Sequence, residues 1–370
     1  MSVYWNSRTK ALSPYVPGEQ PKDRKFIKLN TNENPYPPSP KVIEAIQKAV
    51  NDSLRLYPDP ECTVFREAVA ARYGVWPEQV FAGNGSDEIL AFAFGAFFES
   101  SGKGKPKPIL FPDITYSFYP VYARFWDIPY RTIPLNDDFS IKIADYKTSS
   151  GGVVFPNPNA PTGMALSLGD VLSLTEYLHK NNNIFILDEA YTGFGADLTI
   201  THIKDHPNLL CVHTLSKSGS LAGLRAGFAV GSVELIEGLR RVRDSFNSYT
   251  LDRLTLAGAA AALSDVAYYN EINRRVLKTR DRVMEALRKM GFMVLPSSAN
   301  FIFIKAPEVQ GMPCINGSEI FSALREKGIL VRHFNKERIS DFLRVSMGTD
   351  DDMDIFLDAC NSIVADHYRK

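Results

Sequence analysis

Short apolar runs alternate with amphipathic stretches along most of the chain, and this alternation predicts the fold class. Uninterrupted apolar runs are typical of strands buried on both faces, whereas apolar residues three and four positions apart are typical of helices. The predicted strands cover residues 80–82, 108–111, 130–133, 152–155, 184–187, 209–214 and 228–230, and predicted helices between them include residues 64–73, 118–125 and 171–180. Strands that alternate with helices favour a mostly parallel sheet between helical layers, so we expect an α/β fold.

The pattern changes after residue 230. A long, charged helix at residues 267–289 is predicted to bridge two domains. After residue 291, predicted strands at 293–295, 301–304, 329–332 and 342–346 and predicted helices at 319–327 and 350–365 indicate a smaller α/β unit. Residues 1–38 are rich in proline and polar groups, which predicts an extended arm. We therefore expect an arm and part of the small domain at residues 1–50, a large domain at 51–265 and a small C-terminal domain at 266–370.

Composition narrows the possible classes of function. The 370 residues contain 42 Lys+Arg and 42 Asp+Glu, so the net charge is zero. A nucleic-acid scaffold or an acidic-lipid binder needs a basic surplus, and neither class fits this balance. Residues 1–10 lack the apolar core of a signal peptide, and the longest apolar run, residues 89–98, is too short to span a bilayer.

The four cysteines are scattered along the chain without the spacing of a metal site or a redox motif. We therefore expect reduced thiols in a cytoplasmic protein. The cysteines stand at Cys62, Cys211, Cys314 and Cys360.

Polar groups follow three of the predicted strands, at residues 157–163, 188–191 and 216–217. Ligands of parallel sheets bind beyond the carboxyl ends of the strands. These three groups therefore predict a binding site at one edge of the sheet.

Lys217 is the candidate nucleophile of this site. It stands in a turn of small residues after the apolar run 209–212, with Arg225 a few positions on. Burial or a nearby cation lowers the pKa of a lysine and frees its amine for reaction with a carbonyl compound. The small neighbours leave room for a bulky ring, and Arg225 could also bind a phosphate. A solvated loop lysine is the alternative for this residue taken alone.

Asp188 emerges from the predicted strand 184–187, where a carboxylate needs a cationic or donor partner. A protonated pyridine nitrogen would be such a partner, although a helix N-cap beside a packing Tyr191 would explain the same residues. Residues 83–88, Gly-Asn-Gly-Ser-Asp-Glu, form a turn between a strand and a helix that could bind an anion, with Ser86 as the expected N-cap. Their spacing is neither that of a Walker loop nor that of a dinucleotide fingerprint.

Several motifs, in order along the chain, resemble those of the fold type I pyridoxal-phosphate aminotransferases. Residues 159–163, Asn-Ala-Pro-Thr-Gly, are similar to the family's Asn-x-Pro-Thr-Gly element, and residues 188–191, Asp-Glu-Ala-Tyr, resemble its strand end. Residues 216–217 and 221–227 resemble its Schiff-base lysine signature. The resemblance implies the aspartate-aminotransferase-like fold, with a large domain of mostly parallel sheet and a smaller α/β domain.

Further segments most resemble the histidinol-phosphate aminotransferases within this family. They are residues 13–15, 29–35, 57–59 and 342–348. The chain departs from the pattern at Ala160, where many relatives have asparagine, so the amide for the cofactor's ring oxygen is assigned to Asn159. A second departure is Ser86, where relatives often have alanine.

The resemblance implies the cofactor pyridoxal 5'-phosphate and a role for each matching residue. Lys217 is expected to hold the cofactor as an imine and to carry protons, while Asp188 keeps the ring nitrogen protonated. Tyr191 and Asn159 are expected to donate to the ring oxygen, and Tyr116 to lie against the ring face. The residues expected to hold the cofactor phosphate are Ser86, Asp87, Ser216 and Arg225.

The resemblance also implies a substrate site and a partner chain. Tyr57 is expected to reach the cofactor phosphate of a neighbouring subunit, so the implied assembly is a homodimer with shared sites. The residues expected at the substrate are Tyr15, Asn32, Arg332 and Arg344, of which the two arginines and Tyr15 are expected to bind its phosphate.

The implied reaction is transamination between histidinol phosphate and imidazole-acetol phosphate, with glutamate and 2-oxoglutarate as the second pair. Threonine-phosphate decarboxylase and a broad or aromatic aminotransferase are the alternatives within the same chemistry, and substrate tests separate them. A DNA-binding regulator would need an additional helix-turn-helix module and a basic surplus. A dinucleotide-dependent oxidoreductase would need the glycine fingerprint.

Overall fold

A seven-stranded sheet forms the centre of the larger part of the molecule. The structure is a computed structural model that describes residues 3–308, 312 and 314–369, apart from the side chain of Lys103. The strands of this sheet are β2 Val80–Asn84, β3 Ile109–Pro112, β4 Tyr130–Ile133, β5 Val153–Pro156, β6 Phe185–Asp188, β7 Leu209–Thr214 and β8 Ala226–Val230. Their spatial order is β2-β8-β7-β6-β5-β3-β4. Only β8 runs antiparallel to its neighbours, so the predicted mostly parallel α/β sheet is confirmed.

Helices cover both faces of this sheet because its central strands are apolar on both sides. Leu187 and Cys211 face one core. Their chain neighbours Ile186 and Val212, on the same two strands, face the other. Helices precede, connect and directly follow these strands along the chain. They are α2 Pro40–Ala49, α3 Thr63–Tyr73, α4 Gly85–Phe97, α5 Tyr119–Phe125, α6 Leu168–Lys180, α7 Val233–Asp244 and α8 Arg253–Ser264.

A second, four-stranded antiparallel sheet carries the C-terminal part of the chain. Its strands are β9 Met293–Val294, β10 Phe301–Lys305, β12 Arg332–His333 and β13 Phe342–Ser346, in the order β12-β13-β10-β9. The helices α10 Gly317–Glu326 and α11 Asp350–Tyr368 contribute to a core of their own with this sheet.

The helix α9, Val266–Lys289, joins the two parts of the molecule. Its first turns place Tyr269 and Ile272 in the core of the large sheet, and its later turns place Val276 and Val283 in the core of the small sheet. This course agrees with the bridging helix predicted from the sequence. The exact division of the chain into three segments stays a prediction.

The N-terminal arm has more structure than its composition predicts. It contains the short helix α1, Ser7–Ala11, and the strand β1, Ile27–Lys28. Strand β1 pairs in parallel with β11, Ile329–Leu330, so the arm is fixed to the C-terminal part of the chain. A two-residue strand carries too little periodicity to be recognised in the sequence.

Two further details differ from the expectations. Helix α4 begins at Gly85 with Asn84 as the N-cap residue, so Ser86 lies inside the first turn and is not the cap. The strand expected at 329–332 is divided into β11 and β12.

All four cysteines are free thiols. In the described part of the chain, none of the helices combines the length and apolar character needed to cross a membrane.

The central sheet should depend strongly on Phe185, which is fully buried and packs edge-on against Phe155 at a ring distance of 4.9 Å. We expect Phe185→Ala to lower the free energy of unfolding by about 3–5 kcal/mol, because the substitution leaves a cavity in the core. Phe246→Ala removes the same ring from a side chain that is 74% exposed, and it should cost less than about 1 kcal/mol. Denaturant unfolding followed by circular dichroism measures both, and equal losses would contradict this account.

Candidate active site

The parallel strands β5, β6 and β7 end at the same edge of the large sheet. In the register of these strands Pro156 lies beside Asp188, and Asp188 lies beside Val212. The turn that carries Lys217 follows β7 directly, so it leaves the sheet at the same edge as Asp188. The sequence-based prediction that these polar groups share one edge agrees with the structure.

A cavity of about 150 Å³ lies at this edge. Of the fourteen candidate residues named from the sequence, twelve line it: Tyr15, Asn32, Ser86, Asp87, Tyr116, Asp188, Tyr191, Ser216, Lys217, Arg225, Arg332 and Arg344. The walls come from the arm, the large sheet and the strands β12 and β13. The structure does not bring Asn159 or Tyr57 into this cavity.

The Lys217 amine lies in surroundings that favour its neutral form. Displacement of water lowers its pKa to about 8, and the charge of Arg344 contributes in the same direction. Its Nζ donates a hydrogen bond to the carbonyl oxygen of Thr31 in the arm at 3.0 Å. A lysine in this state can act as a nucleophile and can exchange protons near neutral pH.

Asp188 is a buried carboxyl group with only weak compensation. It is 4% exposed, and burial raises its pKa to about 6. Its partners are the Tyr119 hydroxyl, which donates to Oδ2 at 3.1 Å, and the backbone N–H of Ala190, which donates to Oδ1 at 3.2 Å. A cation bound beside Asp188 in the cavity would restore the ionised form.

The first turn of α4 lies beside Arg225 and Ser216, and this group of residues is called the cradle. Arg225 reaches across it, with Nη2 donating to Asp87 at 3.2 Å and Nη1 to the Ser216 hydroxyl at 3.3 Å. The backbone is close-packed here, since a Cβ atom added to Gly227 would lie 2.5 Å from the carbonyl carbon of Gly85. The N-terminus of a helix together with an arginine favours a phosphate or carboxylate at this position.

The phenol of Tyr191 faces the cavity from the turn after β6. The side-chain amide of Asn32 donates to its oxygen at 2.9 Å. Asn159 lies outside the cavity, where its amide donates to the carbonyl oxygen of Ile114 and to the Thr162 hydroxyl. Ala160, the next residue, lines the cavity instead of Asn159. Its side chain carries no amide, so neither residue brings an amide side chain into the cavity.

Two arginines of the small sheet stand side by side at the cavity. Arg332 of β12 and Arg344 of β13 are register partners, so both side chains leave the same face of the small sheet. Arg344 donates to the Asn30 carbonyl oxygen at 3.0 Å, and its Nε is buried without a hydrogen-bond partner in the described structure. Burial lowers the pKa of Arg344, and the charge of Arg332 adds to this effect. An anion bound between the two guanidinium groups would compensate for the loss of water around Arg344 and for the repulsion between the two positive charges.

Sequence reasoning missed several residues that shape the site. Tyr119, Thr214 and Thr31 all contact candidate residues, through Asp188, Ser216 and the Lys217 amine respectively. Tyr119 is fully buried, so in the sequence it could not be distinguished from an ordinary core tyrosine. The contact of Thr31 uses its backbone carbonyl, which no sequence pattern identifies.

Comparison with known proteins gives a family match over most of the chain. Residues 24–360 match the family Aminotransferase class I and II. A histidinol-phosphate aminotransferase of Clostridium acetobutylicum is 51% identical over 365 residues, which cover 99% of this chain and all of that protein. A histidinol-phosphate aminotransferase of Clostridium beijerinckii is 48% identical over 370 residues, the full length of both.

Solved structures share the fold. The histidinol-phosphate aminotransferase from Sinorhizobium meliloti in complex with pyridoxal-5'-phosphate superposes with a TM-score of 0.85 at 23% identity, covering 99% of each chain. A Thermus thermophilus aspartate aminotransferase variant superposes with a TM-score of 0.80 at 17% identity, covering 98% of this chain and all of that one.

The buried carboxyl group should impose a pH dependence on the stability of the ligand-free protein. The pKa of Asp188 is about 6 in the folded state, against about 4 for an ordinary aspartate. The Asp188 carboxyl group therefore keeps its proton to a higher pH in the folded state than in the unfolded state. As the pH rises from about 4 to about 6, the free energy of unfolding of the wild type should fall relative to that of Asp188→Asn. Above pH 6 the variant should be more stable by roughly 3 kcal/mol.

Urea unfolding of the ligand-free protein between pH 4 and pH 8 measures this difference. Gln47→Ala, at an exposed position of α2, is the control; it removes no ionisable group, so its difference from the wild type should stay flat over this range. If the difference in unfolding free energy between Asp188→Asn and the wild type also stayed flat, the Asp188 carboxylate would be better compensated in the folded protein than these contacts indicate.

Proposed function

The chain belongs to the family of class I and II aminotransferases, and we propose that it interconverts histidinol phosphate and imidazole-acetol phosphate, with glutamate and 2-oxoglutarate as the second pair. This reaction belongs to histidine biosynthesis. The single observation that carries the proposal is the pair Arg332 and Arg344, which lines the same cavity as Lys217. Relatives about half identical over nearly their full length bear the name of this activity.

The residues present fit pyridoxal 5'-phosphate as the cofactor. Asp188 is buried with a phenol and a backbone amide as partners, so a protonated ring nitrogen supplies the missing cation. The cradle around Arg225 suits a phosphate, and the Tyr191 hydroxyl faces the space between them. When bound, the cofactor withdraws electrons from the substrate's α-carbon, which makes the proton on that carbon acidic.

Lys217 is the proposed covalent anchor and proton carrier. Its amine is partly neutral near pH 8 because its surroundings displace water. Once a substrate amine takes over the anchor position, the free Lys217 amine can accept a proton from one carbon and return it to another. The Thr31 carbonyl, 3.0 Å from Nζ, gives this amine a defined resting position.

The remaining residues orient the reactants. Asp188 keeps the ring nitrogen protonated, and Tyr191 donates to the ring oxygen with its own hydroxyl held by Asn32. Tyr116 lies beside this space and donates to Asp87 at 2.6 Å, which fixes the carboxylate that pairs with Arg225. Ser86 and Ser216 are proposed as further donors to the cofactor phosphate.

The arginine pair is the proposed site for the substrate's phosphate and for the carboxylate of glutamate. Both anions suit two guanidinium groups, which explains how one site accepts both amino donors. Tyr15 closes this end of the cavity from the arm, where its ring stacks on Phe118 at 4.3 Å.

We also propose a cytoplasmic homodimer. Tyr57 lies outside the chain's own cavity, 77% exposed and stacked on Tyr249 at 4.6 Å, and Arg253 holds its carbonyl oxygen. An exposed, stacked pair of tyrosines is suited to contact a second copy. In that assembly Tyr57 reaches the cofactor phosphate of the other subunit.

Purified protein with pyridoxal phosphate should show a visible absorption band that changes when glutamate or histidinol phosphate is added. Lys217→Ala should fold, but borohydride should no longer fix the cofactor to the chain, and kcat should fall by at least about 1000-fold. Mass spectrometry and a coupled glutamate assay measure these effects. Carbon dioxide release from threonine phosphate, without transamination of imidazole-acetol phosphate, would replace this function with the decarboxylase.

Arg344→Gln should reduce kcat/KM for histidinol phosphate by about 100-fold, because one of two paired charges at the phosphate is lost. The visible band with the cofactor alone should be retained, since Arg344 is not one of the residues of the cradle, where Arg225 contacts Ser216 and Asp87. Arg241→Gln, on an exposed face of α7, is the control and should behave as wild type. A normal kcat/KM in Arg344→Gln would place the phosphate elsewhere.

A further inference from the structure

Two asparagine side chains hold the backbone of the turn that carries Lys217. The amide of Asn34 donates to the Lys217 carbonyl oxygen at 3.3 Å, and the amide of Asn273 donates to the Ser218 carbonyl oxygen at 3.1 Å. The two side chains also bond to each other, since Nδ2 of Asn34 donates to Oδ1 of Asn273 at 3.0 Å. Neither asparagine lines the cavity that contains the Lys217 amine.

The two residues belong to parts of the chain that are far apart in sequence. Asn34 lies in the arm, 183 positions before Lys217, and its Oδ1 accepts from the Tyr36 N–H at 3.1 Å. Asn273 is 9% exposed and lies on α9 between Ile272, which packs in the core of the large sheet, and Val276, which packs in the core of the small one. The turn is therefore attached both to the arm and to the helix that joins the two sheets.

The turn has limited support of its own at this point. Within it, the Ser220 N–H donates to the Lys217 carbonyl oxygen at 3.3 Å, and the Leu221 N–H donates to that of Leu215 at 2.9 Å. Behind it lies a second cavity of about 360 Å³, lined in part by Ser218 and Asn273. On this side of the turn the Asn273 amide restrains the Ser218 carbonyl at the wall of the cavity, while the Asn34 amide restrains the Lys217 carbonyl.

The same arm segment also contacts the reactive side chains. Thr31 accepts from the Lys217 amine, and Asn32 donates to the Tyr191 hydroxyl. The backbone of Asn32 is itself held by Ser346 and Asn300 near the small sheet. Residues 31–34 thus fix the main chain of Lys217 and the end of its side chain at once.

We propose that Asn34 and Asn273 are positioning residues that act as one unit: they fix the carbonyls of Lys217 and Ser218, and thereby hold the Lys217 amine in register with Asp188 and Tyr191. The inference rests on the proposed function in one respect, that Lys217 carries the reactive amine. A displacement of about 1 Å in such a group is enough to reduce a rate by about 100-fold.

Three variants test the proposal: Asn34→Ala, Asn273→Ala and the double substitution. Asn270→Ala is the matched control, because Asn270 lies on the same helix one turn earlier, is exposed and lines the same second cavity. Thermal unfolding of each purified variant shows whether it folds. Asn34 is only half-buried, so its variant keeps the test decisive if Asn273→Ala does not fold.

The first measurement needs no cofactor. The cofactor-free protein is labelled with an acylating reagent across a pH range, and mass spectrometry gives the midpoint for Lys217, expected near pH 8 in the wild type. The charged groups that face this amine are Arg344, Arg225, Glu33 and Asp87. A loosened turn admits water to the amine, so the midpoint should rise by about one pH unit in Asn34→Ala and Asn273→Ala, and stay at the wild-type value in Asn270→Ala.

The second measurement is kinetic. In the cofactor-loaded enzyme kcat should fall about 10- to 100-fold in each single variant, with KM for histidinol phosphate changed less than about threefold, because the arginine pair is not touched. The double variant should lose little more than either single one, since the two amides support one turn.

The outcomes separate this proposal from the function itself. If wild-type protein does not transaminate histidinol phosphate, the proposed function fails, and a raised labelling midpoint in the variants still supports the positioning role. If wild-type protein is active and both single variants keep its kcat and its Lys217 midpoint, as Asn270→Ala does, the positioning role is wrong. Strictly additive losses in the double variant would contradict the claim that the two amides act as a unit.

Discussion

The active-site chemistry depends on one constraint: three ionisable groups, Asp188, Lys217 and Arg344, share a cavity that displaces the water they would otherwise have. Desolvation is the largest influence on the pKa of each, raising that of the acid and lowering those of the two bases. The three groups are not hydrogen-bonded to one another in the described structure; their side-chain partners are a phenol, one backbone N–H and two backbone carbonyls. The protein thus keeps three desolvated ionisable groups whose hydrogen-bond partners are uncharged, so a ligand that brings a complementary charge into this cavity would also compensate them.

Most of this arrangement could be predicted where the information is local. The predicted strand 209–214 has the bounds of β7, and a parallel sheet requires that the residues after β6 and β7 meet at one edge. The large sheet was predictable for this reason. What sequence could not give is contact between distant polar residues: Asn273 is separated from Asn34 by 239 positions, and both carry ordinary amides in ordinary segments. The same limit applies to Asn159, since only the path of the turn decides that Ala160 faces the cavity instead.

The arm is the part of the molecule for which composition was most misleading. Its prolines and amides exclude long helices and strands, but they do not imply a loose segment. Strand β1 fixes it to β11, and the side chain or backbone of each residue from Asn30 to Asn34 bonds to another part of the chain or to a neighbour within the arm. Amides suit this task because each carries donors and an acceptor on a short side chain, so one residue can link two backbones.

These observations explain why a reactive lysine can lie in a turn without regular secondary structure. A strand would hold Lys217 firmly but would direct its side chain into one of the two cores, away from the edge where ligands bind. A turn at the strand end directs the amine into the cavity but gives up the ladder of backbone hydrogen bonds. The lost restraint is replaced by side-chain amides from the arm and from α9, the two segments that also connect the large sheet to the wall carrying Arg332 and Arg344. The arm and α9 therefore contact both the turn that carries Lys217 and the part of the molecule that carries Arg332 and Arg344.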